Sequence, residues 1–196
     1  MSTRDLSRAA AAALSRRRLL AGTATATLSA ATFGLLAGAP VLLSRRAFAE
    51  ATPEQDVRIL NSALSAEHEA VAAYQVGAES GLLKKDVLAL AVQFQGQHKE
   101  HVDLLASTVS KLGGSAASPK ASYGFPVEKL KTQEDVLRFA AGLEKGAVSA
   151  YLGAIPILGS GDLAKAAASI LGDEAMHWAV LRYVLGENPV PDAFVS

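Results

Sequence analysis

Beyond residue 52, apolar residues recur every three to four positions, and this helical period breaks at only a few points. Four segments carry it. The first runs from about Pro53 to Glu79 and opens on Thr52-Pro53-Glu54, an N-cap followed by proline at the first helical position. The second runs from about Lys84 to Leu112 and is stopped by Gly113-Gly114. The third, from about Thr132 to Ile155, starts at Thr132-Gln133-Glu134-Asp135 and is broken by Pro156. The fourth, from about Asp162 to Leu185, is closed by Gly186 with Pro189 beyond it. Nothing in this part of the chain reads as a run of alternating strands.

The connections restrict how these helices can pack. The first and second are joined by a short link, as are the third and fourth, so each pair is expected to form an antiparallel hairpin. Between the hairpins lies a stretch from Gly113 to Lys131 rich in Gly, Ser and Pro. A helix of about 25 residues is roughly 38 Å long. The stretch reaches about 60 Å when extended, enough to return along the bundle.

The two hairpins repeat each other. Glu67 and Tyr74 on the first helix fall on Glu144 and Tyr151 of the third, and His98 and His101 on the second fall on Glu174 and His177 of the fourth. Residues three apart project from one helical face, so each pair can reach a common point. Glu67, the His98/His101 pair, Glu144 and the Glu174/His177 pair all sit near mid-helix, and antiparallel packing brings midpoints to one height. Six potential metal ligands are thus expected in one layer of the core. Glu67 and Glu144 lie among Ala, Val and Leu, where a carboxylate without a partner is costly. His68 points about 100° away from Glu67 and reads as exposed. Tyr74 and Tyr151, two turns from the glutamates on the same face, read as core or ligand-supporting residues, and Trp178 as packing.

This layout resembles the ferritin-like di-metal carboxylate proteins, in which two helices each give a Glu and two each give Glu-x-x-His. Ile59-Leu60-Asn61-Ser62-Ala63-Leu64, Tyr123-Gly124-Phe125-Pro126, Ala150-Tyr151-Leu152-Gly153-Ala154 and Pro189-Val190-Pro191-Asp192-Ala193-Phe194 extend the likeness to the ferritin-like domain family that includes desiccation-related proteins. The resemblance covers nearly all of residues 53–194. It implies an all-α, ferritin-like four-helix bundle: two antiparallel hairpins joined by a long crossover. It also implies a transition-metal site, with iron or manganese favoured and zinc compatible, held by Glu67, His98, His101, Glu144, Glu174 and His177. There is one departure. His98 stands where the metal-binding version has a glutamate that commonly bridges two metals. An imidazole nitrogen binds one metal and does not bridge two as a carboxylate does, which shifts the expectation toward a mononuclear site or an asymmetric pair.

Composition narrows the classes further. The chain of 196 residues is 50% hydrophobic and has no cysteine. That excludes a disordered chain, a disulfide scaffold and a Cys-ligated zinc or iron–sulfur site. Its formal charge of zero hides two unlike parts. Residues 1–49 carry seven arginines against Asp5 alone, a net of +6. The remainder carries 12 basic and 18 acidic residues, a net of −6, which gives no reason to expect a nucleic-acid partner.

The basic part reads as an address. Ser15-Arg16-Arg17-Arg18-Leu19-Leu20 leads into an uncharged Ala/Gly/Thr-rich run to Leu43, and Ala47-Phe48-Ala49 offers small residues for cleavage. The paired arginines resemble a twin-arginine signal. The expected organisation is therefore a signal peptide at 1–49, a ferritin-like domain at 50–196, the twin-arginine export machinery as partner, membrane contact only during export, and a periplasmic or secreted location. Expected function divides into two main readings. One is an oxidant-handling metalloprotein whose mono- or dinuclear site reacts with oxygen or peroxide. The other is a non-catalytic stress-protective protein whose metal is structural or absent. Storage in a self-assembled cage is a third and weaker reading; a homo-oligomer is compatible with each.

Overall fold

In the computed structural model, residues 51–195 are described; the expected export segment at 1–49 lies outside them. Four long helices account for most of the described chain: α1 (Pro53–Glu79), α2 (Lys85–Lys111), α3 (Gln133–Ala154) and α4 (Gly161–Val184). Short 3₁₀ turns occupy Val127–Lys129 and Ile155–Ile157. There is no strand among the described residues, and none of their helices is long and apolar enough to cross a membrane.

The helix boundaries follow from local chemistry. Thr52 caps α1 by accepting from the Gln55 amide at 3.2 Å, with Pro53 at the first helical position. Thr132 and Asp135 form a reciprocal capping box at the start of α3. Ser160 caps α4 by accepting from the Leu163 amide. At the far ends of α2 and α4, Gly113 and Gly186 take φ of 79° and 75°, values that favour glycine. The Gly114 amide then reaches back to the Val109 carbonyl, and the Glu187 amide to Arg182.

α1 packs along α2 and α3 along α4, giving the two hairpins, and α1 faces α3 across the bundle. The core is apolar at both ends and polar in between. One end gathers Leu60, Leu64, Leu105, Val109, Leu158 and Ile170. The other gathers Val87, Phe94, Leu137, Ala141 and Leu181. Between them lie the buried Glu67, His98, Glu144, Glu174 and His177.

The crossover is tied to α1. Asn61 donates from Nδ2 to the Ser115 carbonyl at 2.9 Å and accepts from the Ala117 amide at 2.7 Å. His68 Nε2 lies 3.1 Å from the Ala117 carbonyl. His68 is thus half-buried rather than exposed, because the crossover runs over the face it occupies. Gly114 passes so close to Val57 that a Cβ would sit 2.6 Å from its Cγ1. Asp56, also buried, accepts from the Gly159 amide and ties the first turn of α1 to the α3–α4 link.

Replacing Asn61 by Ala removes both side-chain bonds to the crossover. At about 1 kcal/mol per bond, the variant is expected to lose about 2 kcal/mol of unfolding free energy while keeping its helix content. Urea unfolding followed by circular dichroism measures this.

Candidate metal centre

Each helix delivers its polar residues to the centre because they share its core-facing stripe. On α1, Leu60, Leu64, Glu67 and Tyr74 are buried in series; on α3, Ala141, Glu144, Val148 and Tyr151 are. On α2 the series runs Phe94, His98, Leu105, and on α4 Ile170, Glu174, His177, Leu181. All six residues expected from the repeat come together. Five are at most 3% exposed, and His101 is half-buried at the edge of the group.

Their contacts have a twofold plan. His98 Nδ1 lies 2.9 Å from Glu67 Oε2 and 3.6 Å from Glu174 Oε1, while its Nε2 lies 3.4 Å from Glu144 Oε1. His101 Nδ1 lies 3.1 Å from Glu174 Oε1 and 3.4 Å from Glu67 Oε2. His177 Nδ1 lies 3.5 Å from Glu144 Oε1. The two tyrosines cross between the repeats. Tyr151 of α3 donates to Glu67 of α1 at 2.7 Å, and Tyr74 of α1 donates to Glu144 of α3.

Two further residues orient the imidazoles. His177 Nε2 is 2.9 Å from Gln97 Oε1 and 3.4 Å from Asp173 Oδ2. His101 Nε2 is 3.3 Å from the same Asp173 oxygen. Oxygens accept only, so the Nε2 atoms carry protons there and each Nδ1 turns toward the glutamates. Gln97 and Asp173 were not singled out by the sequence reading. The available signal was their equivalence under the same repeat, each standing one position before His98 or Glu174.

Burial alone would push these carboxylates up and these imidazoles down, yet mutual pairing outweighs it for most. Burial opposes the charge on His98, but Glu144 and Glu67 raise it to about 10. His101, also opposed by burial, is raised by Glu174 and Glu67 to about 9. Glu67 is held down to about 2 against its burial by His101, His98 and the Tyr151 hydroxyl. Glu144 is likewise lowered against its burial, chiefly by His177 and His98. Glu174 differs. Burial raises it to about 8, the neighbouring Glu144 and Glu67 adding to the rise and His101 opposing it. Burial next to Glu144 and Glu67, respectively, pushes Tyr74 and Tyr151 well up, so both hydroxyls stay protonated donors.

The group leaves a specific set of buried atoms without a hydrogen bond: His101 Nδ1, His177 Nδ1, Glu144 Oε2 and both Glu174 oxygens. Buried polar atoms are normally satisfied. Two imidazole nitrogens and three carboxylate oxygens are hard-to-intermediate donors of the kind first-row transition metals take, and the residues fit such an ion. Two sets of four could each hold one: Glu67, His98, His101 and Glu174, or His98, Glu144, Glu174 and His177. A cavity of about 440 Å³ between α1 and α3, walled by Ala66, Ala70, Gly146 and Ala147, reaches Glu67, Glu144 and Glu174 from outside.

An all-helical bundle of two hairpins with this buried carboxylate–imidazole layer defines the class of protein. The match of residues 55–187 to the ferritin-like domain shows that the chain belongs to that family. A conserved hypothetical protein from Mycobacterium tuberculosis, known from its crystal structure, superposes with a TM-score of 0.63 at 24% identity. The superposition covers 73% of this chain and 99% of that one, and the likeness is one of fold. No curated protein matches the chain.

The protonation pattern fixes a pH response of the metal-free protein. His98 and His101 are raised above the ordinary value of 6.5, so their pairing stabilises fully below that pH and is lost as pH rises through about 9 to 10. Glu174, raised from 4.5 to about 8, acts in the same direction. Glu67, lowered from 4.5 to about 2, contributes above 4.5 and stops contributing as pH falls toward 2. Calorimetry of metal-free protein is expected to show the melting temperature falling from pH 7 to pH 10. A flat profile there would mean that His98 and His101 are not held as imidazolium.

Proposed function

We propose that this chain is an exported, desiccation-related-type ferritin-like metalloprotein. Glu67, His98, His101, Glu144, Glu174 and His177 hold one or two transition-metal ions, iron or manganese in preference to zinc, at a site that reacts with oxygen or peroxide. The observation that carries the reading is the convergence of five buried donor atoms without hydrogen-bond partners on one layer of the core. Iron or manganese bound there would supply one-electron chemistry toward oxygen or peroxide.

The chain's own residues serve that reading in definite ways. Asp173 and Gln97 fix the ring orientation of His101 and His177. Tyr74 and Tyr151 fix the carboxylates of Glu144 and Glu67. The small side chains between α1 and α3 leave room for a small oxidant to reach the layer. Because His98, His101 and Glu174 are protonated near neutral pH in the metal-free protein, a metal must displace those protons, and affinity rises with pH.

A second reading has its own support. His98 and His101 as cations balance the Glu67 and Glu144 anions while Glu174 stays neutral, so these five groups compensate one another without a metal. That favours a non-catalytic, stress-protective bundle.

Metal analysis separates the two. Protein reconstituted with Fe(II), Mn(II) or Zn(II) is expected to retain at least one ion per chain, with tighter binding at pH 8 than at pH 6. Replacing Glu144 and Glu174 together by Ala is expected to abolish retention. A stoichiometry near zero in the unaltered protein, or one unchanged in the double variant, rejects the ligand set. With metal bound, oxygen or peroxide consumption by the Fe(II) form supports the oxidant-handling reading; no consumption leaves the protective one.

Export has a separate test. The full chain is expected in the periplasmic or secreted fraction, and replacing Arg16, Arg17 and Arg18 by Lys is expected to hold it in the cytoplasm. Equal export of the triple variant would reject the twin-arginine route.

A further inference from the structure

The two sets of donors around the central layer are related by the internal repeat. Glu67 and His101 belong to one set only, Glu144 and His177 to the other only, and His98 and Glu174 to both. The shared pair are themselves repeat equivalents, one an imidazole and the other a carboxylate. Both Glu174 oxygens lack hydrogen-bond partners, and Glu174 stands in both sets.

His98 presents opposite edges to the two sets. Its Nδ1 edge meets Glu67 Oε2 at 2.9 Å and Glu174 Oε1 at 3.6 Å, on the side that also carries His101. Its Nε2 edge meets Glu144 Oε1 at 3.4 Å, and that oxygen is 3.5 Å from His177 Nδ1. The ring is 1% exposed, with Tyr74 and His177 each 5.2 Å away between ring centroids. Packing of this kind opposes a ring rotation that would hand both nitrogens to one side.

We propose that His98 is a two-ended ligand, giving Nδ1 to one divalent first-row ion held with Glu67 and His101, and Nε2 to a second held with Glu144 and His177. Glu174, common to both sets, lies beside His98. The inference rests on the metal-binding reading above and deepens it. A single imidazole nitrogen cannot join two ions, but the two nitrogens of one ring can, and the ring then gives up both protons to solvent as the ions bind. The separation follows from ring size. With bonds of about 2.0–2.1 Å on either side, the ions lie about 6 Å apart, whereas two-metal sites with shared oxygen ligands hold them at about 3.5–4 Å. His98 thereby converts a close pair into two ions too far apart to share one oxygen atom.

The test uses Co(II) alone as the probe. The protein is stripped of metal, loaded with Co(II), counted by metal analysis, and crystallised for diffraction at the cobalt absorption edge. Two ions per chain about 6 Å apart, on opposite edges of His98, are expected. His98→Gln is expected to lower the count to one or fewer at unchanged helix content. His98→Glu is expected to keep two ions and bring them to about 3.5–4 Å. One ion per chain in the unaltered protein, or two ions at about 4 Å or less, overturns the two-ended role of His98 and leaves metal binding standing. No ion at all overturns both.

Discussion

Three carboxylates and three imidazoles in the middle of a helical bundle form the constraint on which the other features depend. Burying even one such charge without compensation is costly, so the chain surrounds them with partners. Glu67 and Glu144 each take a tyrosine hydroxyl and imidazole neighbours, while Glu174 avoids the cost by holding its proton. The layer divides the apolar core into two blocks. Each block must then hold its own end of the bundle, which suits long helices contributing apolar residues above and below the polar level.

The repeat explains how Glu67 and Glu144 are each tied to the opposite hairpin in a small space. Each first-position helix of a hairpin lends its tyrosine to the glutamate of the other hairpin, so neither half is complete alone. The residues preceding His98 and Glu174, Gln97 and Asp173, are likewise equivalent, and they support imidazoles on the α2–α4 side. The symmetry stops at His98 and Glu174. One position is held as a cation and the other as a neutral acid. That difference sets the two shared positions apart chemically.

Access to the layer reflects how the hairpins meet. Within a hairpin the helices pack closely, but α1 and α3 face each other across small residues, where the cavity to the glutamates opens. The crossover runs over α1, held by Asn61 and His68, and thereby fixes α1 relative to the returning chain.

Much of this was legible in the sequence because helix formation and facial spacing are local. The capping residues at Thr52 and Thr132, and Gly113 and Gly186 at the far ends, marked the four helices to within a residue or so. The three-residue spacing of His98/His101 and Glu174/His177, set against Glu67 and Glu144, put six polar side chains at one height. What needed the tertiary structure was which group meets which across helices. The crossed tyrosine–glutamate pairs, the Asp173 and Gln97 supports, the burial of His68 under the crossover and the two-sided placement of His98 all depend on side-chain direction at helix–helix contacts. Periodicity assigns a residue to a face. Only the packing of four faces decides which ring nitrogen points at which carboxylate.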